Sequence, residues 1–226
     1  MNIFRLLISA MLLTGCDTES IPTAHLQTET SSAPEKFVTI DYIDLSKIER
    51  ISTFRSGIGH NYSDAAESCR SMKHYYQPKG NIDWSTVTIF SPVSGTIIRR
   101  DEEWAGTQLW IRPFSHPGYT FIIFHIALLM PLAVNDTVTA GRQLGTHIGP
   151  QTMSDIAIGF SPKNIWTLVS YFDVMSDSLF LRYQERGVPS RGVLIITKEA
   201  RDADPLRCTG ETFGTSGMIN NWVDLN

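Results

Sequence analysis

The chain has 226 residues and a formal net charge of −4, from 19 basic and 23 acidic side chains. This length fits one domain, or one domain with a tail, and the apolar and aromatic content is sufficient for a buried core. Because there is no basic excess, the composition gives no electrostatic case for nucleic-acid binding. The charge balance is also too mild to indicate an acidic partner.

The first elements in chain order are typical of export. Arg5 precedes an apolar run at residues 6–13, which is too short for a membrane span of about 20 residues. The run ends in LTGC at residues 13–16, which resembles the lipobox of bacterial lipoproteins; an ordinary secretory signal is the alternative. The resemblance implies removal of the signal peptide, residues 1–15, and acylation of Cys16. We therefore expect a lipid-anchored protein of the bacterial cell envelope, whose domain lies outside the cytoplasm at either the inner or the outer membrane.

A polar tether follows, and after it the domain begins. Residues 16–36 are rich in Ser, Thr, Glu and Pro and lack an apolar period, so we expect a tether before a domain at 37–226. Once Cys16 is acylated, Cys69 and Cys208 remain. In an exported protein an isolated pair of this kind indicates a disulfide, and two buried thiols are the alternative.

The domain itself has a β pattern. From Val87 to Phe160, short β-rich runs alternate with Gly, Pro and Asn-Asp turn signals, which predicts an antiparallel β-sheet or barrel with a few short helices. Residues 37–45 predict a first strand. Residues 177–187 have the apolar spacing of a helix, which stops at a glycine. Residues 193–206 predict a strand that ends in polar residues.

One candidate pair of metal ligands lies early in the domain. Gly57 and Gly59 lead into His60, and His60 with Asp64 forms an H-x-x-x-D spacing. The two side chains share a face on a helix, and they can also converge from the two arms of a bent strand. An imidazole and a carboxylate held in this way are suitable ligands for one divalent metal. A histidine capped by a nearby aspartate is the alternative.

The segment at residues 65–90 carries a cluster of basic and aromatic residues, namely Arg70, Lys73, His74, Tyr75 and Tyr76. Arg70, His74 and Tyr75 are candidates for binding a sugar or an acidic group, because aromatic rings stack on sugar faces and arginine pairs with carboxylates. The alternative is a disulfide-pinned helix whose charges are only solvated.

Several of these segments together resemble the lysostaphin-type zinc endopeptidases, which cut peptidoglycan cross-bridges. SPVSGTII at 91–98 resembles the A-P-x-x-G-x-V hairpin of that family, and FIIFHIALL at 121–129 resembles its Y-x-H-L strand. Residues 134–149 resemble its V-x-x-G-D-x-V-x-x-G-Q-x-I-G turn segment, with Asn-Asp in place of Gly-Asp. The resemblance covers about residues 54–160 and implies the β-sheet domain of the family, the duplicated hybrid motif, which is a barrel-sandwich hybrid.

The resemblance also implies a site, with one departure. By position, His60 and Asp64 match the first two zinc ligands, and His125 matches a histidine that assists the attacking water. The H-x-H strand of the family falls on residues 155–157. The position of the family's assisting histidine is therefore occupied by Asp155 in this chain. The position of its third zinc ligand is occupied by Ala157, which has no donor atom.

Two residues are candidates to complete the ligand set. Asp155 alternates with its apolar neighbours and shares a strand face with Ala157, so it is a candidate third ligand if the metal shifts along the strand. His147, in the turn before that strand, is a further candidate. A set rich in oxygen ligands would bind zinc less selectively.

Three functional hypotheses follow. In the first, an incomplete zinc site leaves a domain that binds peptidoglycan or a cell-wall hydrolase without cutting, and no cofactor is required. In the second, a reorganised site hydrolyses peptidoglycan with bound zinc, or by acid–base chemistry in which His125 is the base and Asp155 orients it or binds the metal. In the third, the polar residues are only structural. In each case a lipid anchor is the expected contact with the membrane, and nucleic acid is not an expected partner.

Overall fold

The computed structural model describes residues 34–226, except for the side chain of Lys163. The expected signal peptide, the expected acylation site Cys16 and most of the expected tether lie outside the described residues, so all three stay predictions. Within the described range, no helix has the length and apolar character needed to cross a bilayer.

Short strands dominate the described residues. The strands are β1 (Ile48–Ser52), β2 (His74–Pro78), β3 (Thr88–Phe90), β4 (Gly95–Glu103), β5 (Gly106–Pro113), β6 (Tyr119–Leu128), β7 (Thr137–Val138), β8 (Gln143–His147), β9 (Ser154–Phe160), β10 (Thr167–Val169), β11 (Cys208–Thr209), β12 (Thr212–Phe213) and β13 (Trp222–Asp224). The α-helices are α1 (Tyr171–Val174), α2 (Asp177–Gln184) and α3 (Lys198–Ala203). Single 3-10 turns lie at Leu45–Lys47, Trp84–Thr86, Pro162–Asn164 and Arg191–Leu194.

The strands form one large sheet and a separate small hairpin. The large sheet has the order β13-β1-β2-β9-β6-β5-β4-β7, with β10 on β9 and β8 joining β6 to β3, while β11 pairs with β12. Every strand pair is antiparallel. The predicted fold class, mainly β with an antiparallel sheet and a few short helices, is therefore confirmed.

The turn signals of the central stretch have identifiable physical causes. Gly95 opens β4 where a Cβ would lie 2.3 Å from the carbonyl oxygen of Arg112, so only glycine lets the strands approach. Asn135 has a φ of 77° in the turn before β7, a left-handed conformation that asparagine tolerates better than most residues. The sequence pattern thus located these turns correctly.

Two local predictions are wrong. Residues 37–45 form isolated bridges at Val38 and Ile43 rather than a strand, because the segment turns its apolar side chains into the core one by one. The predicted strand at 193–206 is a 3-10 turn followed by α3, since the hydroxyl of Thr197 accepts a hydrogen bond from the amide of Ala200 and caps the helix. The predicted helix at 177–187 is present as α2, and Gly187 beyond its end has a φ of 89°.

The predicted disulfide between Cys69 and Cys208 is confirmed, with a Cα–Cα distance of 5.6 Å. The bond ties the loop before β2 to the β11–β12 hairpin. Because it joins residues 139 positions apart, it removes a large entropy from the unfolded chain, worth about 4–5 kcal/mol in the chain-entropy model.

Buried apolar side chains form two clusters, one on each face of β9. Ile156 and Ile158 belong to the main cluster, which also contains α1 and α2 residues. Ala157, on the opposite face, belongs to a smaller cluster. The predicted alternation along this strand is therefore correct, and it directs Asp155 and Ala157 toward the same side of the sheet.

Candidate functional site

A cleft with a volume of about 1050 Å³ opens on the side of the sheet where Tyr75 of β2 is directed. Aromatic, charged and polar side chains line it. They include Tyr62, Tyr75, Trp84, Trp104, Trp110 and Phe124 among the aromatics, and His60, Lys73, Arg99, Glu103, His125 and Glu211 among the titratable groups. A cleft of this size and lining is the kind of place in which proteins bind ligands.

The ammonium group of Lys73 lies at the centre of the polar groups. Its Nζ atom is 3.0 Å from Nε2 of His60, and it forms an ion pair with Oδ2 of Asp155. The side chains of Lys73 and Asp155 are 1% and 0% exposed, so the pair is shielded from water. A buried charge of this kind is tolerated only when an opposite charge accompanies it.

Three aromatic rings surround the same ammonium group. Its Nζ lies 4.0 Å from the ring centroid of Phe124, 4.8 Å from that of Tyr62 and 4.9 Å from that of Tyr75. Ring faces attract a cation electrostatically, and this attraction adds to that of the carboxylate. The cluster therefore fixes the position of the lysine from several directions.

The register between β2 and β9 explains this arrangement. Tyr75 pairs with Asp155 and His74 with Ile156. Directly opposed residues are close neighbours, so the residues at the start of β2 lie beside Asp155. Lys73 directly precedes β2, and its ammonium group reaches the Asp155 carboxylate.

A kink in β6 positions His125. The register with β5 shifts between Thr107 and Leu109, and His125 has a φ of 61° in the extra residue of this bulge. A Cβ on Gly106 would lie 2.9 Å from a carbonyl oxygen of Ile126, so glycine accommodates the kink. A left-handed histidine within a strand is strained, and such strain is frequent at functional sites.

His125 continues the chain of polar contacts. Its Nε2 atom is 3.1 Å from Oδ1 of Asp155, and its Nδ1 atom is 3.1 Å from the carbonyl oxygen of Ala105. Since both acceptors require a proton on the nitrogen that faces them, this geometry favours the charged imidazolium. Burial lowers the pKa of His125, but the contact with the Asp155 carboxylate outweighs burial and raises that pKa above its ordinary value.

Asp155 is held in its ionised form. Burial raises the pKa of its carboxyl group, but the charges of Lys73 and His125 outweigh burial and keep the pKa below the ordinary value of 3.8. Among the described residues neither carboxylate oxygen has a hydrogen bond of good alignment, so the contacts with the two cations are ion pairs. The carboxylate is therefore a fixed negative charge beneath the cleft.

His60 is held in its neutral form. Burial lowers the pKa of His60 from 6.5, and the charge of Lys73 lowers it further. A lysine ammonium group only donates hydrogen bonds, so Nε2 of His60 accepts from it. The proton then lies on Nδ1, which is 3.2 Å from the carbonyl oxygen of Asn61.

The structure places Asp64 in a different set of contacts. One carboxylate oxygen accepts hydrogen bonds from the amides of Ala66 and Glu67, at 2.9 and 3.1 Å, and the other accepts from the amide of Leu168 at 2.9 Å. Asp64 therefore caps a loop, and it does not line the cleft that His60 lines.

The residues present do not fit a zinc ion. Residues 34–226 contain no group of three or more His, Cys, Asp or Glu side chains arranged to hold a metal. The position implied for the third ligand carries a methyl group, and the candidate substitute, Asp155, is already paired with Lys73 and His125. A catalytic zinc site needs three protein ligands and an open position.

His147 does not complete a ligand set either. It lies at the end of β8, fully buried, and its Nδ1 accepts a hydrogen bond from the amide of Gly149 at 3.3 Å. Its Nε2 has no hydrogen-bond partner among the described residues. Burial lowers the pKa of His147 to about 4, so the ring is neutral at pH 7.

Of the three candidate substrate-binding residues, the structure places one in the cleft. Tyr75 lines it, and its hydroxyl accepts a hydrogen bond from the amide of His60 at 3.3 Å. Arg70 is buried in ion pairs with Glu67 and Asp202, at 2.7 and 2.8 Å. His74 is directed to the other face of β2, because successive strand residues alternate, and burial lowers its pKa to about 4.

Sequence reasoning placed Lys73 in the basic and aromatic cluster of residues 65–90 but did not assign a site role to Tyr62, Glu103 or Trp110. Lys73 directly precedes β2, two residues from Tyr75. No sequence signal pairs that strand with β9. With its amide oriented to satisfy both neighbours, Gln108 donates to Glu103 at 2.6 Å and accepts from Nε1 of Trp110 at 3.1 Å, which fixes this wall of the cleft.

Comparisons with known proteins find similarity to solved structures only. No protein-family model and no curated protein sequence matches the chain. It is similar to the crystal structure of a protein assigned as a glycyl-glycine endopeptidase, lytM, from Ruminococcus gnavus ATCC 29149, with 14% identity, a TM-score of 0.36 and coverage of 45% of this chain and 43% of that one. It is also similar to the solution structure of lysostaphin, with 12% identity, a TM-score of 0.31 and coverage of 50% and 48%. The chain thus spans less than half the length of either protein, and no activity follows from similarity at this level.

Proposed function

We propose that this protein is a lipid-anchored module of the bacterial cell envelope that binds peptidoglycan in its cleft without hydrolysing it. The lipid anchor comes from the lipobox-like segment ending at Cys16, and the envelope location follows from that anchor. The peptidoglycan ligand is suggested by the resemblance of residues 54–160 to the lysostaphin-type endopeptidases.

The single observation that carries the non-hydrolytic part is the pairing of Lys73 with Asp155 at the floor of the cleft. Asp155 is the candidate to replace the missing metal ligand, but the ammonium group of Lys73 neutralises its charge. Asp64, the other carboxylate ligand expected, caps a loop. The site therefore lacks the donor set that activates water on a metal.

The walls of the cleft support a binding role. The indole of Trp104 is 80% exposed at the cleft. Arg99 stacks over Trp110, with 4.8 Å between the guanidinium carbon and the ring centroid, and Trp110 is itself stacked with Trp166 at 5.9 Å. Exposed rings beside charged groups suit a ligand made of sugars and short peptides.

The test uses the full-length chain in detergent, mixed with purified peptidoglycan sacculi and sedimented. We expect wild type to sediment with the sacculi and Trp104→Ala to lose most of this binding. Phe114→Ala is the matched control, because Phe114 is also exposed, at 60%, but does not line this cleft. We expect it to bind like wild type.

Hydrolysis is measured in the same mixtures, with added zinc, as loss of turbidity and release of soluble fragments. We expect none. Clearing of the sacculi by wild type that disappears in His60→Ala would favour the hydrolase hypothesis. Absence of sedimentation with sacculi would reject peptidoglycan as the ligand.

A further inference from the structure

We propose that Lys73 is a built-in replacement for a metal ion: its ammonium group takes the place of a divalent cation between His60 and Asp155 and keeps the site assembled without metal. This inference goes beyond the proposed function, because it concerns how the site is held together, whatever the cleft binds.

The first argument is the convergence of donor atoms on one point. A nitrogen lone pair of His60 and a carboxylate oxygen of Asp155 both face the Nζ of Lys73, the former at 3.0 Å. A neutral imidazole nitrogen and a carboxylate oxygen are typical metal ligands. The ammonium group can only donate hydrogen bonds, so it donates to the His60 nitrogen and attracts the Asp155 carboxylate by its charge, and it thereby occupies both groups that a metal ion would bind.

The second argument is the support behind each donor. The Nδ1 atom of His60 faces the carbonyl oxygen of Asn61, which fixes the tautomer that leaves Nε2 unprotonated. Asp155 is held from its other side by His125. Partners of this kind orient metal ligands in metal sites, and here they orient the same types of group toward an ammonium ion.

The third argument is space. Lys73 directly precedes β2, whose first residue His74 pairs with Ile156, the neighbour of Ala157, and Lys73 and Ala157 are each only 1% exposed. Ala157 belongs to the buried cluster that contains Phe124, and the Phe124 ring lies 4.0 Å from the Lys73 ammonium nitrogen. A larger side chain with a donor atom at position 157 would therefore compete with the lysine for space beside that ring. A lysine at position 73 and a metal ligand at position 157 therefore exclude each other in a close-packed interior.

The fourth argument is the aromatic surround. The ring faces of Phe124, Tyr62 and Tyr75 lie 4.0 to 4.9 Å from the ammonium nitrogen. These rings stabilise an organic cation through their π faces. They offer no first-row metal a nitrogen or carboxylate ligand, so the remaining directions around this point suit lysine better than zinc.

The experiment exchanges the lysine for a ligand on the facing strand. In the full-length chain we compare wild type, Lys73→Ala/Ala157→His and Lys73→Ala/Ala157→Leu. The leucine variant is the matched control, since it fills a similar volume without a donor atom. Zinc is removed with a chelator, and binding of added Zn²⁺ is then titrated by calorimetry, with far-UV circular dichroism and the intact Cys69–Cys208 disulfide as checks of folding.

We expect wild type and the leucine variant to show no stoichiometric zinc binding. We expect the histidine variant to bind one zinc at least about 100-fold more tightly than the leucine variant, because it gains an imidazole nitrogen that coordinates the ion. Addition of His60→Ala to the histidine variant should abolish this gain. The inference is overturned if wild type binds one zinc in a manner lost in His60→Ala, or if the folded histidine variant binds no better than the leucine variant.

A measurement on wild type keeps the inference testable if the double variants fail to fold. Nitrogen NMR of the histidine rings reports which nitrogen of His60 carries the proton. We expect the proton on Nδ1 and a lone pair on Nε2 at neutral pH. A proton on Nε2 would exclude a hydrogen bond from Lys73 and would overturn the inference. Peptidoglycan binding has no bearing on these measurements, so the two proposals fail separately.

Discussion

Two carboxylates, Asp155 and Asp41, are almost completely buried, with 0% and 3% of their surfaces exposed, yet their surroundings differ. Asp155 lies between the cations Lys73 and His125. Asp41 accepts hydrogen bonds from the hydroxyl of Tyr183 at 2.5 Å and from the amide of Tyr42 at 2.9 Å. No ion pair reaches Asp41 within the described part of the chain.

The pKa values of the two groups move in opposite directions. Burial raises the pKa of Asp41 to about 6, and hydrogen bonds and the charge of Arg182 only partly oppose it. The pKa of Asp155 stays below its ordinary value because adjacent positive charges outweigh burial. Hydroxyl groups satisfy the lone pairs of a carboxylate but do not neutralise its charge. The two residues show that the partner, rather than burial alone, decides in which direction the pKa of a buried acid moves.

The largest expected effect comes from breaking the Asp155 pair. We expect Lys73→Met to lower the free energy of unfolding by about 3–5 kcal/mol at pH 7, because it leaves a buried charge with one cation fewer. Urea denaturation followed by tryptophan fluorescence measures this loss. Adding Asp155→Asn removes the remaining charge and should restore part of the stability. If the double variant is no more stable than Lys73→Met, lost packing rather than lost charge explains the effect.

The next largest effect is the pH dependence due to Asp41. The pKa of Asp41 is about 6 in the folded state, against an ordinary value of 3.8. As the pH rises between these two values, Asp41 loses its proton in the unfolded state but keeps it in the folded state. The free energy of unfolding therefore falls as pH rises through this window, by about 3 kcal/mol in total. Asp41→Asn should abolish this fall. The measured quantity is the stability difference between variant and wild type from pH 4 to 7; a flat difference would show that Asp41 is not the group responsible.

A smaller effect should follow from removing one hydroxyl near Asp41. Tyr183→Phe deletes the donor at 2.5 Å, so we expect a loss of about 1–2 kcal/mol above pH 7, where the carboxylate is charged, and a smaller loss at pH 4. Tyr171→Phe is the matched control, because its hydroxyl is farther from Asp41, at 3.4 Å, and should cost less. Equal losses in both variants at every pH would indicate packing alone.

The smallest effect concerns His125. Its pKa is raised above 6.5 in the folded state, so its charged form contributes stability that is fully present below pH 6.5 and lost as pH rises through the folded value. We expect His125→Gln to cost about 1 kcal/mol at pH 5.5 and less at pH 9. Chemical denaturation at the two pH values tests this expectation, and an equal cost at both would show that the charge on His125 contributes nothing.

Much of the framework could be predicted from local sequence patterns. Alternation along residues 154–160 assigned the two faces of β9, and the isolated pair Cys69 and Cys208 indicated the disulfide. These signals work because they depend on strand geometry and on the number of cysteines. The predicted strand at 193–206 failed because a single capping hydroxyl, that of Thr197, favours helix over strand at that point.

The site was predictable only in part. His125 and Asp155 were singled out by position, and the structure brings them within 3.1 Å of each other. Asp64 was assigned to the same site by its spacing from His60, but spacing does not say which backbone amides will face a carboxylate. Arg70 and His74 lay in the right segment, and their neighbours decided that both are buried outside the cleft.

By itself, the sequence determined the antiparallel β architecture, the disulfide and the absence of a donor atom at Ala157, because each depends on residue type or local periodicity. Only the tertiary structure decided what stands at the centre of the site. The pairing of β2 with β9 brings Lys73, which directly precedes β2, to the Asp155 carboxylate, and which strands become neighbours depends on the packing of the whole sheet. The charge of Asp155 follows from this pairing, since a buried carboxylate stays ionised when cations lie beside it.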